Sequence, residues 1–388
     1  MQVKVKGYFQ GNLGDDLFLE LLCERYSEHQ FIVCGWKRNK EVYSHIKNVK
    51  FIAMDGILSR IEAFLYRRFI QIIKLCNKAK SPIEYLTEEY IEQKWENKCD
   101  CNVLITGSGF CNDKDEFDTL PEKYIKEQEY YKKSPYVIGC NFGPFYYDEY
   151  YDMYKILFRS TSDLCFRDKY SANLFSSIPQ SRCEADIVLA YPIERIETDN
   201  SRTDKEYMLI SVANLKKDRD IASFYYDDYI SFIRRVIQWN TSHNRRTVLV
   251  GFSEEQYDGD TIRSVLSGIN HSENVNVALY PRESSIEILQ LFSNASDVLA
   301  TRYHAMILGI LFKKRIYSIN YNEKVGHVID DFEPNVPRIN LDDLRTITGD
   351  KLANYGFTIS TERLLELRLS AERQFLELDK RMGINERR

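Results

Sequence analysis

Short apolar runs alternate with stretches of helical spacing along almost the whole chain, and this alternation constrains the fold more than any other feature. Parallel neighbouring strands need a crossover of about a dozen residues or more, usually a helix, so a repeated βα pattern specifies parallel sheets covered on both faces. The first set of expected strands is Val3 to Phe9, Phe31 to Gly35, Val103 to Thr106, Tyr136 to Cys140 and Leu164 to Phe166. A second set follows at Tyr207 to Val212, Thr247 to Gly251, Val275 to Tyr280, Val298 to Thr301 and Ile316 to Ile319. Between them, 191–206 is rich in charge and turn formers and has no apolar period, as a linker would. The 388 residues therefore divide into an N-terminal α/β domain at 1–190, the linker, a C-terminal α/β domain at 207–340 and a helical segment at 341–388. Leu364, Leu367, Phe375 and Leu376 mark a terminal helix there, expected by analogy with other two-domain α/β enzymes to strap the domains together.

Charge and cysteine usage remove several function classes. Lys and Arg number 53 against 58 Asp and Glu, a net charge of −5, which excludes a broad basic footprint but not a local patch; no nucleic-acid partner is expected. The nine cysteines are scattered, and Cys99, Cys101 and Cys111 lack the paired spacing of a zinc site, so no metal is expected. A reduced, cytoplasmic chain is the simplest account. Met1 to Phe9 runs straight into a glycine loop and reads as a strand, not a cleavable leader. The 27 Tyr and 21 Phe suit either ordinary cores or sugar-stacking surfaces. From Ile57 to Lys80, Ile61, Phe64, Leu65, Phe69, Ile72 and Ile73 interleave with Arg60, Arg67, Arg68, Lys74, Lys78 and Lys80. The simpler reading is a core-facing helix with a solvated positive face, and the alternative is peripheral contact with the inner face of a membrane.

In an open α/β sheet, ligands sit beyond the carboxyl ends of the strands, which confines the search for chemistry to those loops. After the first strand come Gly7, Gly11, Asn12, Gly14 and Asp15, where glycines admit close backbone approach and Asp15 is either a helix cap or an acid facing the cleft. The third strand ends in Thr106-Gly107-Ser108-Gly109, a binding turn or a purely structural one, without the G-x-S-x-G elbow of a serine nucleophile. Asn141, within Gly139 to Pro144, and Arg167, within Phe166 to Ser171, follow the next two strands. The most informative stretch is Thr301-Arg302-Tyr303-His304-Ala305, where a strand delivers Arg302 to the start of an apolar helix. Guanidinium and helix N-terminus together make an anion site, and His304 beside them titrates near neutrality and could exchange a proton. Tyr321 and Lys324 close the strand after that.

These residues, in order, resemble the polysaccharide pyruvyl transferase family. The resemblance rests on Gly7-Tyr8 through Asn12, Gly14 and Asp15; on Gly107-Ser108-Gly109; on Arg167-Asp168 with Ser171; on Arg302-Tyr303-His304-Ala305; and on Asn320-Tyr321 with Lys324-Val325. It departs from the family at Thr106 and Ser108, where members often carry more glycine, and at Ala213-Asn214-Leu215, where a basic residue would be sought. The resemblance implies two Rossmann-like domains facing a cleft, as in GT-B glycosyltransferases, and transfer of the pyruvyl group of phosphoenolpyruvate to a sugar of a surface polysaccharide or its lipid- or nucleotide-linked precursor. No cofactor is implied. On that reading His304 and Asp15 handle protons; Arg302, Arg167, Lys324 and Gly107-Ser108-Gly109 hold the donor; and Asn12, Gly14, Asn141 and Tyr321 meet the acceptor. A GT-B glycosyltransferase with a nucleotide-sugar donor and a non-catalytic sugar-binding protein of the same fold are the alternatives.

Overall fold

The computed structural model describes residues 1–57, 59–62, 64–65, 83–196, 206–217, 221–269, 274–321, 323–332 and 336–384, without the side chains at 83–87, 217, 323–325 and 327–328. Two seven-stranded sheets organise the chain. The first contains β1 (Gln2–Lys6), β2 (Gln30–Gly35), β3 (Val49–Ala53), β4 (Cys101–Ile105), β5 (Tyr136–Cys140), β6 (Asp163–Phe166) and β7 (Ser181–Cys183), all parallel, in the order β3-β2-β1-β4-β5-β6-β7. The second contains β8 (Tyr207–Val212), β9 (Arg246–Gly251), β10 (Val275–Leu279), β11 (Asp297–Ala300), β12 (Arg315–Asn320) and β13 (Ile339–Asn340), in the order β10-β9-β8-β11-β12-β13. Only β14 (Gly356–Phe357) runs antiparallel, against β12. Central strands such as β8 are buried along their whole length because helices cover both faces.

Strand order reverses between β1 and β4 and again between β8 and β11. Loops leaving neighbouring strands at such a reversal turn to opposite faces and open a crevice at the carboxyl ends. The glycine loops after β1 and β4 flank one crevice, and Ala213 to Leu215 and Thr301 to His304 flank the other.

The two halves meet closely. The amide of Leu13 donates to the Phe252 carbonyl at 3.1 Å, and Asn12 pairs with Ser253 as an antiparallel bridge. Asp16 on the first helix, Leu13–Arg25, accepts the Tyr43 hydroxyl at 2.7 Å and the Tyr280 hydroxyl at 2.8 Å, so a fully buried carboxyl ties one half to the other. The terminal helix does strap the halves. At its start, the Arg363 guanidinium donates to the carbonyls of Phe332 and Asp331, at 3.0 and 3.1 Å. Just past its end, buried Gln374 accepts the Gly139 amide at 3.0 Å and donates to the carbonyls of Phe166, Glu184 and Ala185 at 3.1–3.2 Å. The following helix, Leu376–Met382, returns Asp379 to Arg25 and Tyr26.

Two expectations change. Strands β3, β7, β13 and β14 went unrecognised in the sequence because they are edge or very short segments, without the apolar run of a strand buried on both faces. The described residues of 57–65 are helical, but the apolar ones among them do not face the core: Ile57, Ile61, Phe64 and Leu65 are 78, 50, 58 and 60% exposed. The remainder of that expected amphipathic segment, 66–80, lies outside the described residues, as does most of the expected linker at 191–206. The many aromatic side chains build core: Phe110, Phe142, Tyr150, Tyr154, Phe158 and Phe175 pack in one buried cluster, with Phe110 edge to face against Tyr154 and Phe158, and Phe175 against Phe142 and Phe158. Among the described residues no helix is long and apolar enough to cross a membrane.

Candidate functional site

The opening loop is shaped by what lies against it. A side chain at Gly7 would sit 2.4 Å from the Ile105 carbonyl, so β1 and β4 can stay adjacent only if residue 7 has none. Asn12 caps the first helix by accepting the Gly14 amide at 3.1 Å. At Gly14 a Cβ would fall 1.8 Å from His304 Nδ1, so the imidazole from the second half fills the space a side chain would take. Asp15, in the first turn, accepts the Gly107 amide at 3.2 Å and joins the opening loop to the glycine turn after β4. Ser108 and Gly109 on that turn are exposed, while Gly107 lies beneath, its Cβ direction 3.0 Å from both terminal nitrogens of Arg167.

Arg167 is the centre of a buried cross-domain cluster. Its side chain is 1% exposed. Nη1 donates to Asp186 Oδ2 at 2.8 Å and lies 3.3 Å from His304 Nε2, and Nη2 donates to Asn141 Oδ1 at 3.0 Å. Tyr303 completes the group, its ring 4.2 Å from the guanidinium and its hydroxyl 3.2 Å from Asp186 Oδ2. Burial works against the guanidinium charge, but Tyr303 and Asp186 outweigh it and move the Arg167 pKa up. Burial, and then the Asp186 charge, push the Tyr303 phenol well above its ordinary value, so it stays a neutral donor. Arginine has donors only, so an Arg167–Nε2 hydrogen bond goes with a neutral imidazole that carries its proton on Nδ1.

Arg302, two residues earlier, faces elsewhere. Its Nε donates to Asp258 Oδ2 at 3.2 Å, Nη2 donates to Asp258 Oδ1, and Nη1 donates to Gln256. Asp258 is fully buried and also accepts the amides of Phe252 and Ser253 at 2.9 and 3.2 Å. Arg302 opens onto a cavity of ≈ 320 Å³ also lined by Asn214, Glu255, Gln256, Tyr257 and Tyr321. The helices Asp258–Leu266 and Tyr303–Leu311 both begin there. Tyr8 from the opening loop hydrogen-bonds Gln256, and burial raises its phenol.

The expected residues thus fall into two adjoining groups. Gly14, Asp15, Gly107, Asn141, Arg167 and His304 come together at the domain boundary; Arg302 and Tyr321 line the cavity. Asn12, Gly14 and Asn141 build this site more than they face it: the Asn12 Oδ1 caps a helix, Gly14 is covered by the imidazole, and Asn141, 2% exposed, uses Oδ1 on Arg167 and Nδ2 on the Gly143 carbonyl. Lys324 lies in the helix Glu323–Phe332, and its side chain is outside the described residues. Asp186, Asp258, Gln256 and Tyr303 were not singled out in the sequence. Asp186 follows β7, whose Ser-Arg-Cys carries no strand signal, so the loop that bears it was not recognised as a strand end.

The chain is similar to known proteins in two ways. A family model described as polysaccharide pyruvyl transferase matches residues 12–323. Among solved structures, the UDP-GlcNAc 2-epimerase of Methanocaldococcus jannaschii in complex with UDP-GlcNAc and UDP superposes with a TM-score of 0.59 at 9% identity, covering 98% of this chain and 100% of that one. A putative UDP-N-acetylglucosamine 2-epimerase from Listeria monocytogenes gives 0.52 at 9% identity, covering 100% and 97%; S. aureus MnaA with UDP gives 0.52 at 9%, covering 99% and 97%. No curated protein matches in sequence. At such identities the structures establish the fold, two Rossmann-like domains in the GT-B arrangement. The match over residues 12–323, most of the chain, makes this chain a member of the polysaccharide pyruvyl transferase family.

Proposed function

We propose that the protein transfers the pyruvyl group of phosphoenolpyruvate to a pair of hydroxyls on a sugar, forming a ketal and releasing inorganic phosphate, in the assembly of a surface polysaccharide. The observation that carries this reading is the meeting of Arg167 and His304, one from each half, beside the helix start that presents Arg302. Phosphoenolpyruvate places a carboxylate and a phosphate on adjacent atoms and needs several donors in a small space. Arg302, Arg167, Lys324, the exposed turn Ser108-Gly109 with Gly107 and the N-terminus of Tyr303–Leu311 are the groups assigned to it.

Ketal formation starts when a proton reaches the enol methylene and an oxocarbenium-like centre forms at the neighbouring carbon. One acceptor hydroxyl adds there and loses its proton, the carbon–oxygen bond to phosphate breaks, and the second hydroxyl adds and loses its proton in turn. His304 is the proton donor in this scheme, and Asp15, in the first turn opposite, is its counterpart for the hydroxyl proton. Tyr321, at the cavity wall, is the aromatic surface assigned to the acceptor sugar. Asn12, Gly14 and Asn141 support the acceptor side by fixing the loops around it. An acceptor held at a membrane surface accords with the exposed apolar side of 57–65 and with the basic residues that follow it in sequence.

The test is product identity. Purified full-length protein is incubated with phosphoenolpyruvate and with lipid-linked or nucleotide-linked saccharides, and phosphate release and the ketal methyl signal are followed by NMR. Phosphate release coupled to ketal formation supports the reading. Nucleotide release from a sugar nucleotide, with phosphoenolpyruvate untouched, replaces it with the glycosyltransferase alternative. Both reactions failing, with sugar still bound, favours the non-catalytic alternative.

A further inference from the structure

Asp186 is fully buried, and its two oxygens do different work. Oδ1 accepts the Val188 amide at 2.9 Å and caps the turn Ile187–Ala190. Oδ2 receives Arg167 Nη1 at 2.8 Å and the Tyr303 hydroxyl at 3.2 Å, and lies 3.7 Å from His304 Nε2. Arg167 belongs to the first half of the molecule, Tyr303 and His304 to the second, so one carboxylate oxygen serves partners on both sides of the boundary.

The charges around the imidazole pull in opposite directions. Arg167 at 3.3 Å opposes a second ring proton, while Asp186 at 3.7 Å favours one. The other polar neighbours are Tyr303, a neutral phenol on the same helix; Asp15, in the helical turn that carries Gly14 against the ring; Asp168, which caps Lys169–Leu174; and Arg302, whose charge is engaged by Asp258. The opposite side of the ring is apolar, with Phe18 edge-on at 5.3 Å. Without Asp186, the guanidinium beside His304 would lose its hydrogen-bonded carboxylate.

We infer that Asp186 is a positioning residue for proton transfer: it offsets Arg167 at His304, and it accepts from Nε2 once that nitrogen is protonated. The contact partner then switches. In the neutral ring, Nε2 faces the donor Arg167; in the charged ring, its N–H turns to Oδ2, a short step from 3.7 Å to hydrogen-bond distance. The proton comes from solvent and leaves to the substrate.

The contribution to turnover rests on the function proposed above; the effect on the ring does not. The full chain, labelled at histidine, is titrated by NMR, with the His304 signal assigned through its loss in His304→Gln. Asp186→Asn keeps the shape and removes the charge, and the His304 midpoint is expected to fall by about one pH unit or more. In phosphate release from phosphoenolpyruvate, the alkaline limb of kcat should move down by the same amount, with a smaller change in KM. A folded Asp186→Asn protein whose His304 midpoint stays at the wild-type value overturns the inference. Should that variant not fold, Tyr303→Phe removes one donor from Oδ2, leaves more carboxylate charge for the ring, and is expected to raise the midpoint; no rise overturns the inference. If the midpoints move as expected while wild-type protein releases no phosphate with any acceptor, the role of Asp186 stands and the proposed reaction falls.

Discussion

Substituting Gly14 by alanine sets two physical effects against each other. Gly14 lies in the first turn of a helix, where alanine is ordinarily better by up to ~1 kcal/mol, so propensity alone forecasts a more stable protein. The added methyl, however, would sit 1.8 Å from His304 Nδ1, roughly 1.6 Å inside ordinary van der Waals contact. The ring cannot simply slide away, since Phe18 and Tyr303 are edge-on to it and Arg167 lies against Nε2. Overpacking of this kind costs about 1–3 kcal/mol, which exceeds the propensity gain. A displacement of the imidazole by about 1 Å would also lower turnover by about a hundredfold. Urea unfolding should show a lower midpoint with an unchanged slope, and phosphate release from phosphoenolpyruvate should fall while the protein remains folded. Introducing the same change into His304→Ala isolates the contact: there the methyl enters vacated space, and Gly14→Ala should be neutral or stabilising. If Gly14→Ala is equally benign in both backgrounds, His304 does not occupy the space over residue 14.

Gln374→Ala would strip four hydrogen bonds from a buried site and leave the Gly139 amide and three carbonyls without that partner; a loss of ~3 kcal/mol or more in urea unfolding is expected. Burial raises the Asp16 pKa well above the ordinary carboxyl value, despite the tyrosines Tyr43 and Tyr280 that favour its charge. The native state therefore keeps a proton that the unfolded chain releases near pH 4, so this group's contribution to stability falls as pH rises from there; Asp16→Asn should flatten that dependence in urea midpoints measured across pH. Phe64→Glu, at the exposed apolar side of 57–65, should reduce flotation with anionic lipid vesicles and leave thermal unfolding unchanged. An unaltered flotation profile would remove the membrane from the proposal.

What could be read in the sequence was whatever depends on local pattern. Strands β2 and β8 are buried on both faces and announce themselves as unbroken apolar runs, and Arg302 and His304 stand out because polar residues follow such a run at a helix start. Asp186 and Asp258 were invisible because their significance lies in pairings 19 and 44 residues away, with Arg167 and Arg302, and nothing in local spacing marks a carboxylate for a distant guanidinium. Gly14 was legible as a turn-forming residue but not as the space for an imidazole from the other half, since that follows only from how the halves approach. The apolar spacing at 57–65 identified a helix correctly and said nothing of which way it faces, because amphipathicity fixes a face and not its partner.

The helix that leaves the second half at Arg363 and docks on the first at Gln374 has a mechanical consequence. The polypeptide crosses between the halves twice, once between Ile196 and Glu206 and once along this helix. This return adds a second covalent link to the Leu13, Asp16 and Asp186 contacts that already join the halves, so parting them would break every one of those bonds at once.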